Sequence, residues 1–311
     1  MILIKRTALV MVFLVLFAAI DLILYEIIAP AFAKYARDEM GGGVYRILES
    51  KAEVLVLGTS RAKHHIDPLI LEKGLGLSAF NGGWNGMGLP FVRGLADLIL
   101  SSYVPKIIIL HIDPEELVYN KTQIDKTAYL APFIDQSDVV KSLIYQRSFF
   151  EPLKYESRTF RYNTRALTIL KALLIKDFDG KGFIPLEKTF HPEQYKDYLN
   201  ALSKEPPMPD ERFLQMLKAI ISQARLSGST IVIVTSPTWR PNVSEEYLMP
   251  LKDVASEAHV AFLAVHSGNT PAFRDPSYYA DANHLNRKGA ALFSEILMKW
   301  IKNHSLVNKN V

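Results

Sequence analysis

Three side chains in this sequence could together activate a serine nucleophile. Ser60 follows a short apolar run, Glu53–Gly58, and Asp281 lies three residues before His284 near the carboxyl terminus. A serine hydroxyl is a weak nucleophile near neutral pH, so a histidine must accept its proton and a carboxylate must orient that histidine. The spacing predicts a triad of Ser60, His284 and Asp281. Helix capping by Ser60 or Asp281, with His284 as a buried polar residue, is the alternative.

Such a triad needs a scaffold that brings distant residues to one edge. Four apolar runs without alternation have the form of strands covered on both faces, as in a parallel sheet: Glu53–Gly58, Lys106–Ile112, Thr230–Thr235 and Val260–Val265. Apolar residues at three- and four-residue spacing predict helices: Leu89–Ser102, Asp210–Leu226, Ser244–Ala258 and Asn286–Asn303. This alternation predicts an α/β fold, a three-layer α/β/α sandwich with a parallel sheet. Reactive groups of such folds gather beyond the carboxyl ends of the strands, where Ser60 would lie.

The amino terminus has the pattern of a membrane helix. Lys5 and Arg6 precede a stretch that is apolar from residue 7 to residue 28 apart from Thr7, Asp21 and Glu26. A helix of about 22 residues, rising ~1.5 Å per residue, would cross a hydrocarbon core of roughly 30 Å. The basic residues come first, which predicts a cytoplasmic amino terminus and an extracytoplasmic main domain. The two acids are expected near the outer interface, protonated or facing a partner.

Two other interpretations of this segment remain open. Ala31-Phe32-Ala33 resembles the small-x-small site of a cleaved signal peptide, and an apolar helix can also belong to the core of a soluble protein. The length of the apolar stretch favours a retained anchor over residues 1–30. A juxtamembrane linker is then expected over residues 31–50, followed by the α/β domain over residues 51–305.

The stretch from about residue 114 to 209 interrupts the β-α rhythm. An insertion of this length is typically a functional cap or lid. Two helices are predicted within it: Ser137–Tyr145 and Thr164–Ile175. Arg158 and Arg161 alternate there with aromatic residues, so this surface could stack on sugar rings and pair with anionic groups, although a solvated helix face is the more common explanation. Arg61, next to Ser60, is a third candidate for substrate binding.

The composition excludes several classes of site. The chain contains no cysteine, which excludes disulfides and thiolate metal sites, and 36 basic against 32 acidic residues give a net charge of +4, too balanced for nucleic-acid binding. His64-His65 with Asp67 lacks a third imidazole at a recognisable spacing, so no metal site is predicted. The glycine clusters include neither a phosphate-loop lysine nor a dinucleotide fingerprint, and no cofactor is expected.

Three motifs together resemble the SGNH (GDSL-like) hydrolase family. Gly58-Thr59-Ser60 and Asp281-x-x-His284 are similar to the first and last blocks of that family, and Phe80–Gly86 is similar to its second block. The blocks occur in family order over residues 53–289. The resemblance implies an SGNH-like fold in which the backbone N–H groups of Ser60 and Gly83 form the oxyanion hole, because glycine allows close backbone approach.

The third block departs from the family pattern. The family has an asparagine after the next strand, whereas this chain has Leu110-His111-Ile112-Asp113-Pro114. Asn85 is the nearest candidate by sequence to replace that side-chain donor. His111 is expected to line the site or to be a satisfied core residue. The departure resembles membrane-anchored subgroups, exemplified by alginate O-acetyltransferase proteins and the D-alanyl-lipoteichoic acid transfer protein.

That resemblance implies an enzyme that acts on an acylated polysaccharide or another ester. The acyl group would pass from Ser60 to water, as in an esterase, or to a sugar hydroxyl, as in a transferase. A membrane acyl-transfer partner protein would be compatible with the subgroup. The alternative is a catalytically silent domain of the same fold that binds a polysaccharide or a membrane protein, with Asp21 and Glu26 packing the anchor against that partner.

Overall fold

Five parallel strands form a single sheet in the computed structural model, which describes residues 2–35, 43–163, 180–195, 207–239 and 245–306. The strands are β1 (Val54–Leu57), β2 (Ala79–Asn81), β3 (Ile107–His111), β4 (Thr230–Thr235) and β5 (Ala261–Ala264). Their order across the sheet is β2-β1-β3-β4-β5. The chain therefore leaves β1 in one direction to form β2 and returns past it to form β3. The carboxyl ends of β1 and β3 flank this reversal, where α/β folds typically bind ligands.

Helices connect and cover the strands. They are α1 (Ile2–Tyr35), α2 (Gly43–Ser50), α3 (Ser60–His65), α4 (Pro68–Leu75), α5 (Leu89–Ser102), α6 (Lys121–Asp125), α7 (Asp138–Tyr145), α8 (Glu151–Glu156), α9 (Glu211–Leu226), α10 (Glu245–Glu257) and α11 (Arg287–Asn303). Three predicted helices begin one residue later than expected because the first predicted residue is a cap. Ser137, Asp210 and Asn286 each accept a backbone N–H of the following helix through the side chain.

Helices lie on both faces of the sheet, as predicted. One face carries Val54, Ile107 and Val232, which share a buried cluster with Phe293 and Leu297 of α11. Helices α3 and α4 pack against α11 on this side. Successive strand residues point to opposite faces, so the alternate residues of β1, β3 and β4 face the other layer, where α5 and α9 pack together and α9 contacts β4. The architecture is the expected three-layer α/β/α sandwich.

The chain divides into two compact units. Unit 1 contains Met1–Arg46 and Thr127–Phe178, and unit 2 contains Ile47–Lys126 and Asp179–Val311. The sheet lies in unit 2. Among the described residues between β3 and β4, which include the predicted insertion near residues 114–209, no strand occurs. That insertion is nevertheless not one body, because its central part belongs with the amino-terminal helix and its flanks belong with the sheet.

The amino-terminal helix is longer than predicted. Helix α1 continues through Pro30 to Tyr35, and α2 occupies Gly43–Ser50, so much of the expected linker at residues 31–50 is helical. Its segment Arg6–Lys34 is long and apolar enough to cross a membrane. The predicted helix Thr164–Ile175 lies outside the described residues.

An aromatic cluster holds the end of α1 within unit 1. Phe32 is fully buried, and its ring contacts Tyr162 edge-to-face at 5.2 Å and Tyr45 at 6.1 Å. Tyr25 packs against Tyr162 at 6.1 Å. Burying a Phe side chain stabilises by about 1.5–3 kcal/mol, which helps α1 to continue beyond Pro30 despite the lost backbone hydrogen bond. Phe32, the middle residue of the small-x-small motif, is thus a packed part of this unit.

Candidate active site

The first turn of α3 presents Ser60 at the carboxyl end of β1. Gly58 joins the two elements with φ +147°, a left-handed conformation that other residues rarely adopt. A Cβ at this position would lie 2.5 Å from the carbonyl oxygen of His111 and 2.8 Å from Cβ of Ala62. Glycine is therefore required both by the backbone angle and by close packing against β3. The result is a sharp turn that exposes the hydroxyl of Ser60 at the edge of the sheet.

Ser60, His284 and Asp281 form a continuous hydrogen-bonded line. The Nε2 atom of His284 is 2.8 Å from Oγ of Ser60, and its Nδ1 atom is 3.0 Å from each carboxylate oxygen of Asp281. An ionised carboxylate only accepts hydrogen bonds, so Nδ1 carries the proton and Nε2 is left to accept the Ser60 hydroxyl. This tautomer is the one that a general base needs.

Local bonds keep the Asp281 carboxylate ionised and aimed. Burial alone would raise its pKa, but the hydrogen bond from His284 and backbone N–H bonds lower that pKa below its usual value. Its Oδ1 atom accepts the N–H of Asn283 at 2.8 Å and that of His284 at 2.9 Å. One short turn therefore holds both the carboxylate and the histidine it orients.

The turn that carries Asp281 and His284 is fastened to the start of α11. Asn286 caps α11 by accepting the N–H of Gly289 and donates its side-chain N–H to the carbonyls of Ser277 and Tyr279. A Cβ at Gly289 would lie 2.1 Å from the carbonyl oxygen of Tyr278, so only glycine fits there. These contacts explain the Asn and Gly that follow the aspartate and histidine in the sequence.

Hydrogen bonds between buried neutral groups connect the residue after His284 to the ends of β3 and β4. The N–H of Leu285 donates to Nε2 of His65 at 2.9 Å, so the proton of His65 is on Nδ1, which lies 2.6 Å from Oγ of Ser236. Ser236 in turn lies 2.7 Å from Nε2 of His111 and can donate its hydroxyl proton there. Burial lowers the pKa of both histidines well below the usual imidazole value, so both stay neutral. Leu285, next to His284, is thereby linked to the ends of β3 and β4.

His111 is therefore a buried core residue and does not line the site, although only its Nε2 atom has a hydrogen-bond partner. It is fully buried and its Nδ1 atom faces Asp113 at 3.6 Å. The neighbours His64 and His65 are also supports: Nδ1 of His64 is bonded to the carbonyl of Ile184 at 2.6 Å, and both rings meet His284 edge-on, at 5.6 Å and 5.9 Å between centroids. Sequence spacing did not predict these hydrogen bonds, because Ser236 lies 171 residues from His65 in the sequence.

Arg61, a candidate for substrate binding, forms an ion pair with the buried carboxylate of Asp113. Its Nε atom lies 3.0 Å from Oδ2 of Asp113, and 16% of its side chain is exposed. Its guanidinium is thus already engaged below the nucleophile. Withdrawing a guanidinium from a buried carboxylate is costly, so this ion pair gives Arg61 a structural role. Substrate binding by Arg61 stays a prediction.

Glu116 completes this ionic cluster. Burial and the neighbouring carboxylate of Asp113 raise the pKa of Glu116 to about 8, and its Oε1 atom accepts the hydroxyl of Thr59 at 3.0 Å. His111, Asp113 and Glu116 place one ligand atom each within 4.8 Å of one another, a spacing that a metal ion could use. Since Arg61 already sets a positive charge against Asp113, we assign the cluster as an ion pair beneath the nucleophile.

The expected role of Gly83 in the oxyanion hole is not supported. Its N–H donates to Oδ1 of Asn81 at 2.8 Å, so it is not free to bind a developing oxyanion. A Cβ at Gly83 would lie 2.5 Å from the backbone nitrogen of Lys63, which shows that glycine is needed for packing against α3. The side-chain N–H groups of Asn81 donate to the carbonyls of Ala62 and Ile66, both at 2.7 Å. Asn81, which the sequence did not single out, locks this loop to the nucleophile helix.

Two candidate oxyanion donors remain. Ser60 occupies the first position of α3, where backbone N–H groups have no acceptor within the helix. Asn85 lies in a turn whose first residue, Trp84, donates its N–H to the carbonyl of Gly58 at 3.1 Å. That bond brings the turn next to the segment that precedes Ser60. The role of Asn85 as a donor stays a prediction.

Arg158 and Arg161 lie in unit 1 and have partners there. The guanidinium of Arg158 lies over the ring of Tyr25 at 5.5 Å, and Arg161 pairs with Asp135 and donates to the carbonyl of Tyr155. These contacts give each side chain a structural role. Substrate binding by either arginine stays a prediction.

Comparisons with known proteins include a distant structural likeness. No protein family model and no curated protein matches the sequence. The crystal structure of protein YxiM from Bacillus subtilis aligns with a TM-score of 0.45 and 11% identity, over 81% of this chain and 56% of that one. The chain thus spans little more than half the length of that protein, and a likeness of this size assigns no function.

Proposed function

We propose that this chain is a serine-dependent hydrolase or acyltransferase of the SGNH type. The observation that carries the proposal is the hydrogen-bonded line from Ser60 through His284 to Asp281. A carboxylate at Nδ1 favours the tautomer that a general base requires. A hydroxyl 2.8 Å from an imidazole nitrogen, at the carboxyl end of a central strand, is the arrangement expected of an activated serine.

The reaction proceeds in two steps. Oγ of Ser60 attacks the carbonyl carbon of an ester while Nε2 of His284 takes its proton, and Asp281 stabilises the imidazolium that forms. The tetrahedral intermediate collapses to an acyl-serine when His284 returns the proton to the leaving alkoxide. Water or a sugar hydroxyl then attacks the acyl-serine, with His284 acting again as base and acid, and Ser60 is regenerated. Water gives an esterase, and a sugar hydroxyl gives a transferase.

Oxyanion stabilisation in this mechanism comes from the N–H of Ser60 and from Asn85. Losing one donor of this kind typically lowers kcat by about 10²–10³. With Gly83 committed to Asn81, an Asn85→Ala variant should lose activity on that scale. Because Arg61 and Glu116 are occupied beneath the nucleophile, we propose a neutral ester as the reacting group, such as an acetyl ester on an envelope polysaccharide.

Helix α1 makes the proposed enzyme a single-pass membrane protein with unit 2 on the extracytoplasmic side. Its length and apolar composition support this topology, as do Lys5 and Arg6 at its start. Phe32 supports retention of the helix, since cleavage after Ala33 would remove the ring at the centre of the aromatic cluster in unit 1. An enzyme tethered in this way meets polymers or acyl carriers at the membrane surface.

A catalytically silent domain of the same fold is the second candidate. The commitment of the Gly83 N–H to Asn81 and the absence of a third-block asparagine favour it, because both reduce the donors available to an oxyanion. Such a protein would bind a polysaccharide or a membrane acyl-transfer partner without turning it over. An activity-based probe separates the two candidates.

The test is labelling of the detergent-solubilised full chain with a fluorophosphonate, which reacts only with an activated serine. Wild type and a Ser222→Ala control, which lacks an exposed serine of α9, should label equally. Ser60→Ala and His284→Ala should not label, while melting as wild type does. An unlabelled wild type that also fails to cleave an aryl acetate would support the silent domain. If wild type labels, adding an oligosaccharide acceptor during aryl acetate turnover distinguishes transfer from hydrolysis.

A further inference from the structure

Unit 1 exposes three large apolar side chains around the start of α8. Phe149 is 90% exposed, Phe150 62% and Leu153 73%. The two phenylalanine rings contact each other edge-to-face at 5.4 Å, so they form one continuous apolar surface. A contiguous exposed patch of this kind typically marks a surface that meets a protein or a membrane.

The loop that follows this patch is fastened to the apolar helix. The carboxylate of Asp21 in α1 accepts the hydroxyl of Ser157 at 2.6 Å, the N–H of Arg158 at 2.8 Å and the N–H of Thr159 at 3.0 Å. The hydroxyl of Thr159 donates to the carbonyl of Asp21 at 2.8 Å. Asp21 therefore has its polar partners within the same polypeptide, at residues 157–159. The four hydrogen bonds fix these residues at the level of Asp21 along α1.

The position of Asp21 along α1 sets the depth of that loop. Fifteen residues separate it from Arg6, which at ~1.5 Å per residue is about 22 Å of a hydrocarbon core roughly 30 Å thick. With Arg6 at the cytoplasmic boundary, Asp21 lies in the outer leaflet, below the outer boundary. Polar backbone is tolerated there only when its groups are satisfied, as those of Arg158 and Thr159 are by Asp21. Helix α8 has six residues and spans only about 9 Å, so the patch lies near the same level.

The charged residues around the patch fit the boundary between lipid and water. Glu151 is nearly buried and is paired with Arg147 at 2.9 Å and Lys154 at 2.8 Å, which leaves the side chain of Lys154 45% exposed beside the patch. Arg158 stacks on Tyr25 of α1. Aromatic and basic residues are enriched at this boundary, where the rings reach the lipid and the charges reach the headgroups.

We propose that Phe149, Phe150 and Leu153 insert into the outer leaflet of the bilayer that α1 spans. Unit 1 is then held to the membrane at two places, by α1 and by this patch, which we call the α8 patch. The second attachment fixes the rotation of unit 1 about the helix axis, which a single helix cannot do. The proposal rests on α1 as a retained membrane helix and is independent of catalysis by Ser60.

The test uses the absence of cysteine from the chain. Single cysteines at Phe149 and Leu153 are compared with Leu226→Cys, an 86% exposed position on α9 of unit 2, and with Phe13→Cys within α1. The full-length protein is placed in phosphatidylethanolamine–phosphatidylglycerol nanodiscs and treated with a charged, membrane-impermeant maleimide. We expect positions 149 and 153 to react at least about tenfold more slowly than position 226, equivalent to about 1.4 kcal/mol in occupancy. Position 13 should be protected as well.

A spin label at the same positions distinguishes lipid from protein burial. In lipid, a label at position 149 is reached by dissolved oxygen and shielded from a water-soluble nickel chelate, whereas burial in protein lowers both accessibilities. Reaction of positions 149 and 153 at the rate of position 226, with position 13 protected, overturns the proposal. If position 13 also reacts fully, the anchor and the α8 patch fall together, whereas fluorophosphonate labelling of Ser60 reports separately on catalysis.

Discussion

Removing the hydroxyl of Ser236 should disrupt both the stability of unit 2 and the position of the triad. This hydroxyl lies between Nδ1 of His65 and Nε2 of His111, at 2.6 Å and 2.7 Å, and all three side chains are buried. In Ser236→Ala, each histidine loses its partner. Leaving a buried polar group unsatisfied costs about 1–3 kcal/mol, so two such groups should cost about 2–6 kcal/mol.

The matched control is Ser294→Ala. Ser294 is also buried. Its hydroxyl donates to the carbonyl of Ala290 at 2.7 Å and lies 3.3 Å from the backbone carbonyl of His65, while the N–H of Asp67 donates to it at 2.8 Å. Its removal leaves one N–H without that partner, with an expected cost of about 1–3 kcal/mol. It touches no imidazole nitrogen in the described hydrogen bonds, so the tautomers of the histidines should be unaffected.

The assay is urea unfolding of the detergent-solubilised full chain, followed by tryptophan fluorescence, together with the rate of aryl acetate cleavage. Ser236→Ala should unfold at lower urea than Ser294→Ala. Its cleavage rate should also fall further, because Leu285, the neighbour of His284, donates to His65. Equal unfolding midpoints for the two variants would refute the bridging role of Ser236, as would an undiminished rate in Ser236→Ala.

Two further predictions concern charges around the nucleophile. Asp281→Asn keeps the shape of the turn but removes the charge that sets the tautomer of His284, so aryl acetate cleavage should fall by about ten-thousand-fold with little change in melting temperature; retention of more than a tenth of the rate would contradict this. The carboxyl group of Glu116 has a pKa of about 8 in the folded protein against an ordinary value of 4.5. Between these pH values it stays protonated in the folded protein but ionises in the unfolded chain, so the free energy of unfolding falls as pH rises from 4.5 to 8. Glu116→Gln should therefore be more stable than wild type by about 3 kcal/mol at pH 7 and by less than about 1 kcal/mol at pH 5, measured by urea unfolding, and a gap that does not change with pH would disprove the assignment.

Local patterns in the sequence predicted the elements that a short stretch of chain determines. The apolar runs of β1, β3, β4 and β5 are confirmed, and so are the amphipathic helices α5, α9, α10 and α11. The contact between Asp281 and His284 could also be predicted, because a spacing of three residues in a turn suffices to bring a carboxylate to an imidazole. Its hydrogen bonds form within a few residues, so they depend little on the rest of the fold.

Gly83 shows where such local reading fails. A glycine lets the backbone approach either a ligand or another part of the protein closely. The sequence shows a glycine in both cases and does not distinguish them. Here the second use applies, since the backbone of Lys63 lies where a Cβ would be and Asn81 takes the N–H. The competing acceptor is two residues away, yet its direction depends on α3, which supplies the carbonyls that orient the Asn81 amide.

Helix α1 was underestimated for a related reason. Pro30 is a normal signal for the end of a helix, because proline removes one backbone hydrogen bond and clashes with the preceding turn. The sequence cannot show that Phe32 is buried by Tyr162, a residue 130 positions away in the printed sequence. Long-range packing of this kind outweighs the local signal and carries the helix on to Tyr35.

The position of Arg61 follows from the reversal of strand order between β1 and β3. The turn after β1 carries the nucleophile, and the carboxyl end of β3 carries His111 and Asp113. A side chain on the buried side of this turn therefore contacts the residues at the carboxyl end of β3. A carboxylate buried there must either be paired with a cation or carry a proton. Arg61 provides the cation for Asp113, and Glu116 keeps its proton. The ion pair thus holds the turn of Ser60 against β3.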